Sequence, residues 1–411
     1  MNLNKVISVL FLMFCWSAQA RTVEVCESCP VKTIREGVAL ASEYDTLLVL
    51  EGTYREFNIL VDKPLTILGR GYPVIDGEEQ GEIIRIASDH VTVDGLYIIN
   101  VGTSYTSDYA AIRVVKSTDF LIQNVVLENL FFGIYIEKSE RGRIYHNKII
   151  GDARDEYNSG NGIQLWYSKH VEVERNIVSG TRDGIYLEFS DYITIRDNHS
   201  LDNLRYGLHF MFSNDDMYTD NTFERNGAGV AVMFSKRIKM YGNTFRKNWG
   251  AAAYGMLLKE INDAEIKGNT FEENTVGINI EGSNRIVYEG NDFRNNGWAI
   301  KVLGACYSNT FTRNNFLYNS FDISYNSRLN DNVFDRNYWS NYTGYDLDKN
   351  GVGDVPYRPV KLFSYIVNRT PETIILLRSL FMDIIDFSEK VSPVFTPDNL
   401  FDANPLMKKN P

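Results

Sequence analysis

Three residues with types and spacing suited to chemistry lie near the middle of the chain: His209, Met211 and Met233. Imidazole and thioether are borderline and soft donors, and two methionines with one histidine suit Cu(I) better than zinc, calcium or magnesium. His209 and Met211 are two residues apart, so on a strand they share one outward face. Met233 repeats the Met211 position 22 residues later. The plainer reading of the same residues is an apolar docking patch, because methionine is commonly a packing residue. A second candidate is acidic. Asp346, Asp348 and Asn350 with Gly351, and Asp354 beyond, match the first half of a calcium loop, but Tyr357 stands where the bidentate glutamate belongs. The competing reading is a turn held by its own Asx hydrogen bonds. A third is Cys26-Glu-Ser-Cys29, most simply a local disulfide in an oxidising compartment. A redox or metal role would call for a second metal-binding pair or a thioredoxin-like strand pattern. Cys306 is left over.

Positioning the first cluster requires stacked strands, and the sequence supplies them as a repeat. Gly184 to Ser190, Gly207 to Ser213 and Gly229 to Ser235 align, with Ile185, Leu208 and Val230, then Leu187, Phe210 and Val232, apolar at alternate positions. The intervening residues must point outward, on rungs about 4.8 Å apart. Asn124, Asn147, Asn176, Asn198, Asn221, Asn243, Asn269, Asn291 and Asn314 recur mostly every 22 or 23 residues, and Asn-x-Phe-x-x-Asn repeats from Asn221 onward. A fixed period of this length with three short strands per unit predicts an all-β protein, a right-handed parallel β-helix of about 22–23 residues per coil. The asparagines are read as a structural ladder. Two longer intervals mark insertions, at residues 152–160 and around Trp249 to Tyr254, both close in sequence to the His/Met rungs.

The ends read differently. Residues 1–20 carry Lys5, an apolar run and Ala18-Gln19-Ala20, the pattern of a cleaved secretory signal peptide. An amphipathic helix within residues 32–42 would cap the solenoid, which is taken to span residues 21–360. Residues 361–411 are expected to form a C-terminal helix and tail, the helix opening at Thr370-Pro371 and running to about Glu389. Ile374, Leu377, Phe381 and Ile384 belong to an apolar surface too wide for one stripe, so part of it is expected to meet a partner. Trp166 and Tyr186 extend the His/Met face and suit protein docking. With 42 basic against 53 acidic residues, nucleic acid is excluded as a partner class. Polysaccharide lyase, hydrolase or epimerase activity, or passive carbohydrate binding, is the alternative use of such a scaffold. Acidic residues do not cluster on adjacent outward positions of this sheet, although Asp183 and Asp197 stand nearby.

The strings Thr181-Arg-Asp-Gly-Ile-Tyr186, Arg205-Tyr-Gly-Leu-His-Phe-Met211 and Met233-Phe-Ser235, and the run from Asn337 to Tyr357, closely resemble the NosD family of nitrous oxide reductase maturation proteins. The resemblance implies a non-catalytic periplasmic β-helix that works with an ABC transporter, a permease with a cytoplasmic ATPase, in assembling the copper-sulfide cluster of nitrous oxide reductase. It also implies receipt of copper from a small copper chaperone. The C-terminal helix is then the candidate contact with the permease.

Overall fold

The computed structural model describes residues 21–250, 253–326, 331–377, 379–391 and 400–411. The expected signal peptide lies outside them. Among the described residues the chain winds into a solenoid of three parallel sheets with 14, 12 and 13 strands; after the first strand, which pairs directly with the second, each sheet takes every third strand, so that each coil adds one rung to each sheet. The strand alternation explains the winding. Ile185, Leu208 and Val230 stack in register on the inward side of the 12-stranded sheet, as do Leu187, Phe210 and Val232, and all six are fully buried. Burying each such side chain contributes roughly 1.5–3 kcal/mol. In the 13-stranded sheet the inward column becomes an aromatic stack, Phe223, Phe245, Phe271, Phe293, Phe316 and Trp339, with neighbouring rings 4.0–5.4 Å apart.

The asparagines form the expected ladder. From Asn147 through Asn176, Asn198, Asn221, Asn243, Asn269, Asn291 and Asn314 to Asn337, each amide donates to the next Oδ1 at 2.9–3.0 Å. Asn124 is not part of it. The strands Leu121–Gln123 and Arg143–Tyr145 pair with an offset of 22, which puts Val125 in the ladder column and Asn124 on the outer turn beside His146. The 23-residue spacing from Asn124 to Asn147 thus disguised a change of position. A second ladder runs from Asn203 through Asn226, Asn248, Asn274 and Asn296 to Asn319. At the far end Asp402 takes the next place in the first ladder, accepting from Asn337 Nδ2 at 3.0 Å and Trp339 Nε1 at 3.0 Å, so residues returning from the tail close the stack.

Helix α1 (Ile34–Leu40) caps the other end, with Thr33 as N-cap accepting from Glu36 N–H. Gly37 is required there by close approach, since a Cβ would fall 2.4 Å from Leu47 Cδ1. The C-terminal helical segment begins earlier than expected and is broken. Helix α2 spans Leu362–Arg369, Thr370 ends it, a 3-10 turn covers Pro371–Leu376, and helix α3 spans Leu380–Val391. Thr370 is a C-cap as well as an entry residue because its N–H bonds back to Ile366 O at 2.9 Å. What anchors the earlier start is tertiary: Phe363 and Val367 pack against Trp298 and Phe321 on the outer side of the 12-stranded sheet. No helix among the described residues is long and apolar enough to cross a membrane.

Candidate metal-binding face

His209, Met211 and Met233 come together on the outward side of the 12-stranded sheet, on strands Tyr206–Met211 and Ala228–Met233. The register pairs His209 with Ala231 and Met211 with Met233. Strand geometry then sets their Cα atoms at three corners of a rectangle about 4.8 by 6.7 Å, with the small Ala231 at the fourth. Both methionines are partly exposed, but His209 is not the exposed residue that its outward position suggested. It is 6% exposed, enclosed by the rings of Tyr186 and Tyr206 at 4.9 and 4.8 Å.

Beneath those rings sits a charge pair that sequence reading missed. Asp183, fully buried, accepts from Arg205 Nε at 2.8 Å and Nη2 at 2.5 Å, and its Oδ2 lies 3.1 Å from His209 Nδ1. Burial alone would raise the Asp183 carboxyl, but the hydrogen bonds from Arg205 and His209 outweigh it and hold it below the ordinary carboxylate range. An ionised carboxylate can only accept, so Nδ1 carries the hydrogen. In the neutral ring Nε2 then presents its lone pair, and Nε2 is buried without a hydrogen-bond partner. A carboxylate fixing one imidazole nitrogen so that the other can ligate is the usual second layer of a histidine metal site. The signal for the pair was available: Asp183 and Arg205 are 22 residues apart, one rung.

The remaining candidates sort by burial. Trp166 is partly covered, with Lys138 Nζ 4.7 Å from its ring and Tyr167 at its edge. Tyr186 is half-buried, and burial raises its hydroxyl strongly, with Glu188 adding to the shift. The exposed aromatics are instead one residue further on. Tyr167, Phe212 and Phe234 are exposed and, with the partly buried Phe189, stack in a line at 4.7–5.1 Å beside the methionine column. All four hold φ near +50°, where bulky residues are strained. Their signal in the sequence was the aromatic-Ser pair ending each aligned rung. Ile374, Phe381 and Ile384 are about half exposed, whereas Leu377 packs against the cluster around Phe363 and does not belong to the free surface.

In the acidic loop the Asx reading describes the geometry. Asp346 accepts from Asn350 and Gly351 N–H at 3.1 and 2.9 Å, Asp348 from Asn350 at 3.2 Å, and Asp354 from Leu347 N–H at 2.7 Å. Among the described residues no three His, Cys, Asp or Glu side chains converge on a metal position, there or elsewhere. Cys26 and Cys29 form a disulfide, and Cys306 is a buried thiol donating to Leu303 O at 3.3 Å. Asp183, considered as a carbohydrate acid, is sealed by Arg205 and His209.

The family model described as periplasmic copper-binding protein (NosD) matches residues 145–344, the stretch that holds the His/Met rungs and most of the ladder. A probable ABC transporter binding protein NosD from Pseudomonas aeruginosa is 29% identical, covering 91% of each chain. The chain belongs to the NosD family. A second NosD relative, from Stutzerimonas stutzeri, is 27% identical over 85% of this chain and 84% of its own. Among solved structures, the solenoid resembles the catalytic domain of a family 87 α-1,3-glucanase (TM-score 0.63, 13% identity, 78% of this chain and 69% of that one). It also resembles a family 28 exopolygalacturonase from Yersinia enterocolitica (TM-score 0.60, 11% identity, 77% and 79%). At such identities the likeness shows the shared fold alone.

Proposed function

We propose that this NosD-family chain is a periplasmic accessory protein for nitrous oxide reductase maturation, which receives copper from a small chaperone, holds it as Cu(I) and couples an ABC transporter to assembly of the copper-sulfide cluster. Copper here is cargo. The observation that carries the reading is the buried, unpartnered Nε2 of His209, oriented by Asp183, on the same face as the in-register Met211–Met233 pair. The donor set fits: one imidazole and two thioethers bind Cu(I) in preference to harder cations. The exposed Tyr167–Phe234 stack beside it supports a transient protein contact on that face, and the half-exposed Ile374, Phe381 and Ile384 support a second contact, with the permease. The disulfide between Cys26 and Cys29 accords with an oxidising periplasm.

Titration of Arg21 to Pro411 with Cu(I) against a chromophoric chelator tests the reading. One copper should bind, and the combined His209→Ala, Met211→Ala, Met233→Ala variant should bind at least about 100-fold more weakly. A Cys26→Ser, Cys29→Ser variant should bind as the parent does. Equal copper affinity in the triple variant, or none in the parent, would discard the site.

A further inference from the structure

A second candidate site lies at the opposite end of the molecule from helix α1, where the last coil meets the C-terminal segment. A cavity of about 900 Å³ opens there, and Asp322 lines it. This carboxylate is only 7% exposed. Its Oδ2 accepts from the Tyr357 hydroxyl at 3.3 Å, while Oδ1 is buried with no hydrogen-bond partner. A buried acceptor left open costs stability, so its persistence calls for a donor from elsewhere. Nothing in the copper reading uses it.

The rest of the lining restricts the chemistry of that donor. Phe321, Phe363, Tyr318 and Tyr345 supply apolar and aromatic wall. Lys361 and Arg358 also line the cavity, which weighs against a cationic ligand. The Asp322 carboxylate weighs against an anion. A purely apolar ligand would leave Oδ1 unmet. What satisfies all three is an uncharged molecule with hydroxyl donors on some faces and C–H surface on others.

We infer that this cavity binds a neutral saccharide, with its hydroxyls donating to Asp322 and its C–H faces against the tyrosine rings. The site is independent of copper, and the loss of either activity leaves the other intact. Burial pushes the Asp322 carboxyl up to about 6, only partly offset by the Tyr357 hydroxyl, the Lys361 charge and the nearby Asn319 and Asn341 amides, neither of which meets hydrogen-bond geometry at Oδ1, so binding should weaken as pH falls below that value.

The test is calorimetric titration of Arg21 to Pro411 with glucose, galactose, N-acetylglucosamine, maltose and cellobiose at pH 7.5 and pH 5. At least one sugar should bind saturably at pH 7.5 and more weakly at pH 5. Asp322→Asn and Tyr318→Ala should each weaken it at least about tenfold, equivalent to about 1.4 kcal/mol. Thermal melts establish that each variant is folded. Tyr318 is 77% exposed, so its replacement keeps the test open if Asp322→Asn fails to fold. No saturable binding across the panel overturns the inference, as does unchanged affinity in a folded Asp322→Asn protein or, where that variant does not fold, in Tyr318→Ala.

Discussion

Replacing Arg205 with methionine should lower stability at pH 7.5 by about 3 kcal/mol, because it strips the partner from a fully buried carboxylate. The lower end of the range for broken buried pairs applies, since the Arg205 side chain keeps 29% exposure while Asp183 has none. The pH dependence has a definite sign. In the parent, the Asp183 pKa is depressed in the fold, so its stabilising contribution is present above the unfolded value near 4 and is lost as pH falls through the folded value. In Arg205→Met the same carboxyl is buried without its cation and is raised, so the variant loses stability as pH climbs above about 4. The difference between the proteins should therefore shrink below pH 4. Pairing the change with Asp183→Asn should recover much of the loss, as both charges are then gone. Urea melts at pH 7.5 and 4, with hydrogen exchange of the amides between 183 and 211 as a local probe, measure this. A deficit under about 1 kcal/mol at pH 7.5 would mean that the pair does not hold the site.

Asn243→Ala should have an effect of similar size for a different reason. Asn243 Oδ1 accepts from Asn221 N–H at 3.0 Å and Asn221 Nδ2 at 2.9 Å, while its own amide donates to Tyr218 O and Asn269 Oδ1 at 2.9 and 3.0 Å. Alanine leaves the buried Asn221 N–H and one hydrogen of the Asn221 amide unmet, at about 1–3 kcal/mol each, for a total near 3–4 kcal/mol. Because coils contact only their neighbours, the damage should be local, with hydrogen-exchange protection lost around residues 218–271 and retained near helix α1. Uniform loss along the chain would show that the coils unfold as one unit. Arg237→Ala, at an exposed turn one strand away, should change little.

These two expectations differ in how legible they were. The ladder is a periodic property: a residue that recurs once per coil must stack on itself, and the period, the inward apolar columns and the cap helix all follow from local spacing. The chain by itself therefore determined the β-helix, the structural role of the asparagines and the grouping of His209, Met211 and Met233 on one face. The slip at Asn124 marks the limit of that logic, because a one-residue shift in column leaves the spacing almost unchanged while moving the side chain to the outer turn.

Burial on the outward face was decided only by the tertiary structure. Alternation says which way a side chain points, but not what lies over it. His209 points outward and is nevertheless enclosed by Tyr186 and Tyr206, with Asp183 reaching it from the adjacent rung and Arg205 from the start of its own. Leu377 looked like part of a free apolar face and is instead packed beside Phe363, while Phe212 and Phe234 emerged as the exposed aromatics. The C-terminal helices begin where the outer sheet surface supplies Trp298 and Phe321 to pack on, a contact between segments more than 40 residues apart. Spacing along the chain encodes the repeat, because the repeat is local. The covering of its outer face depends on segments that meet only once the solenoid has formed.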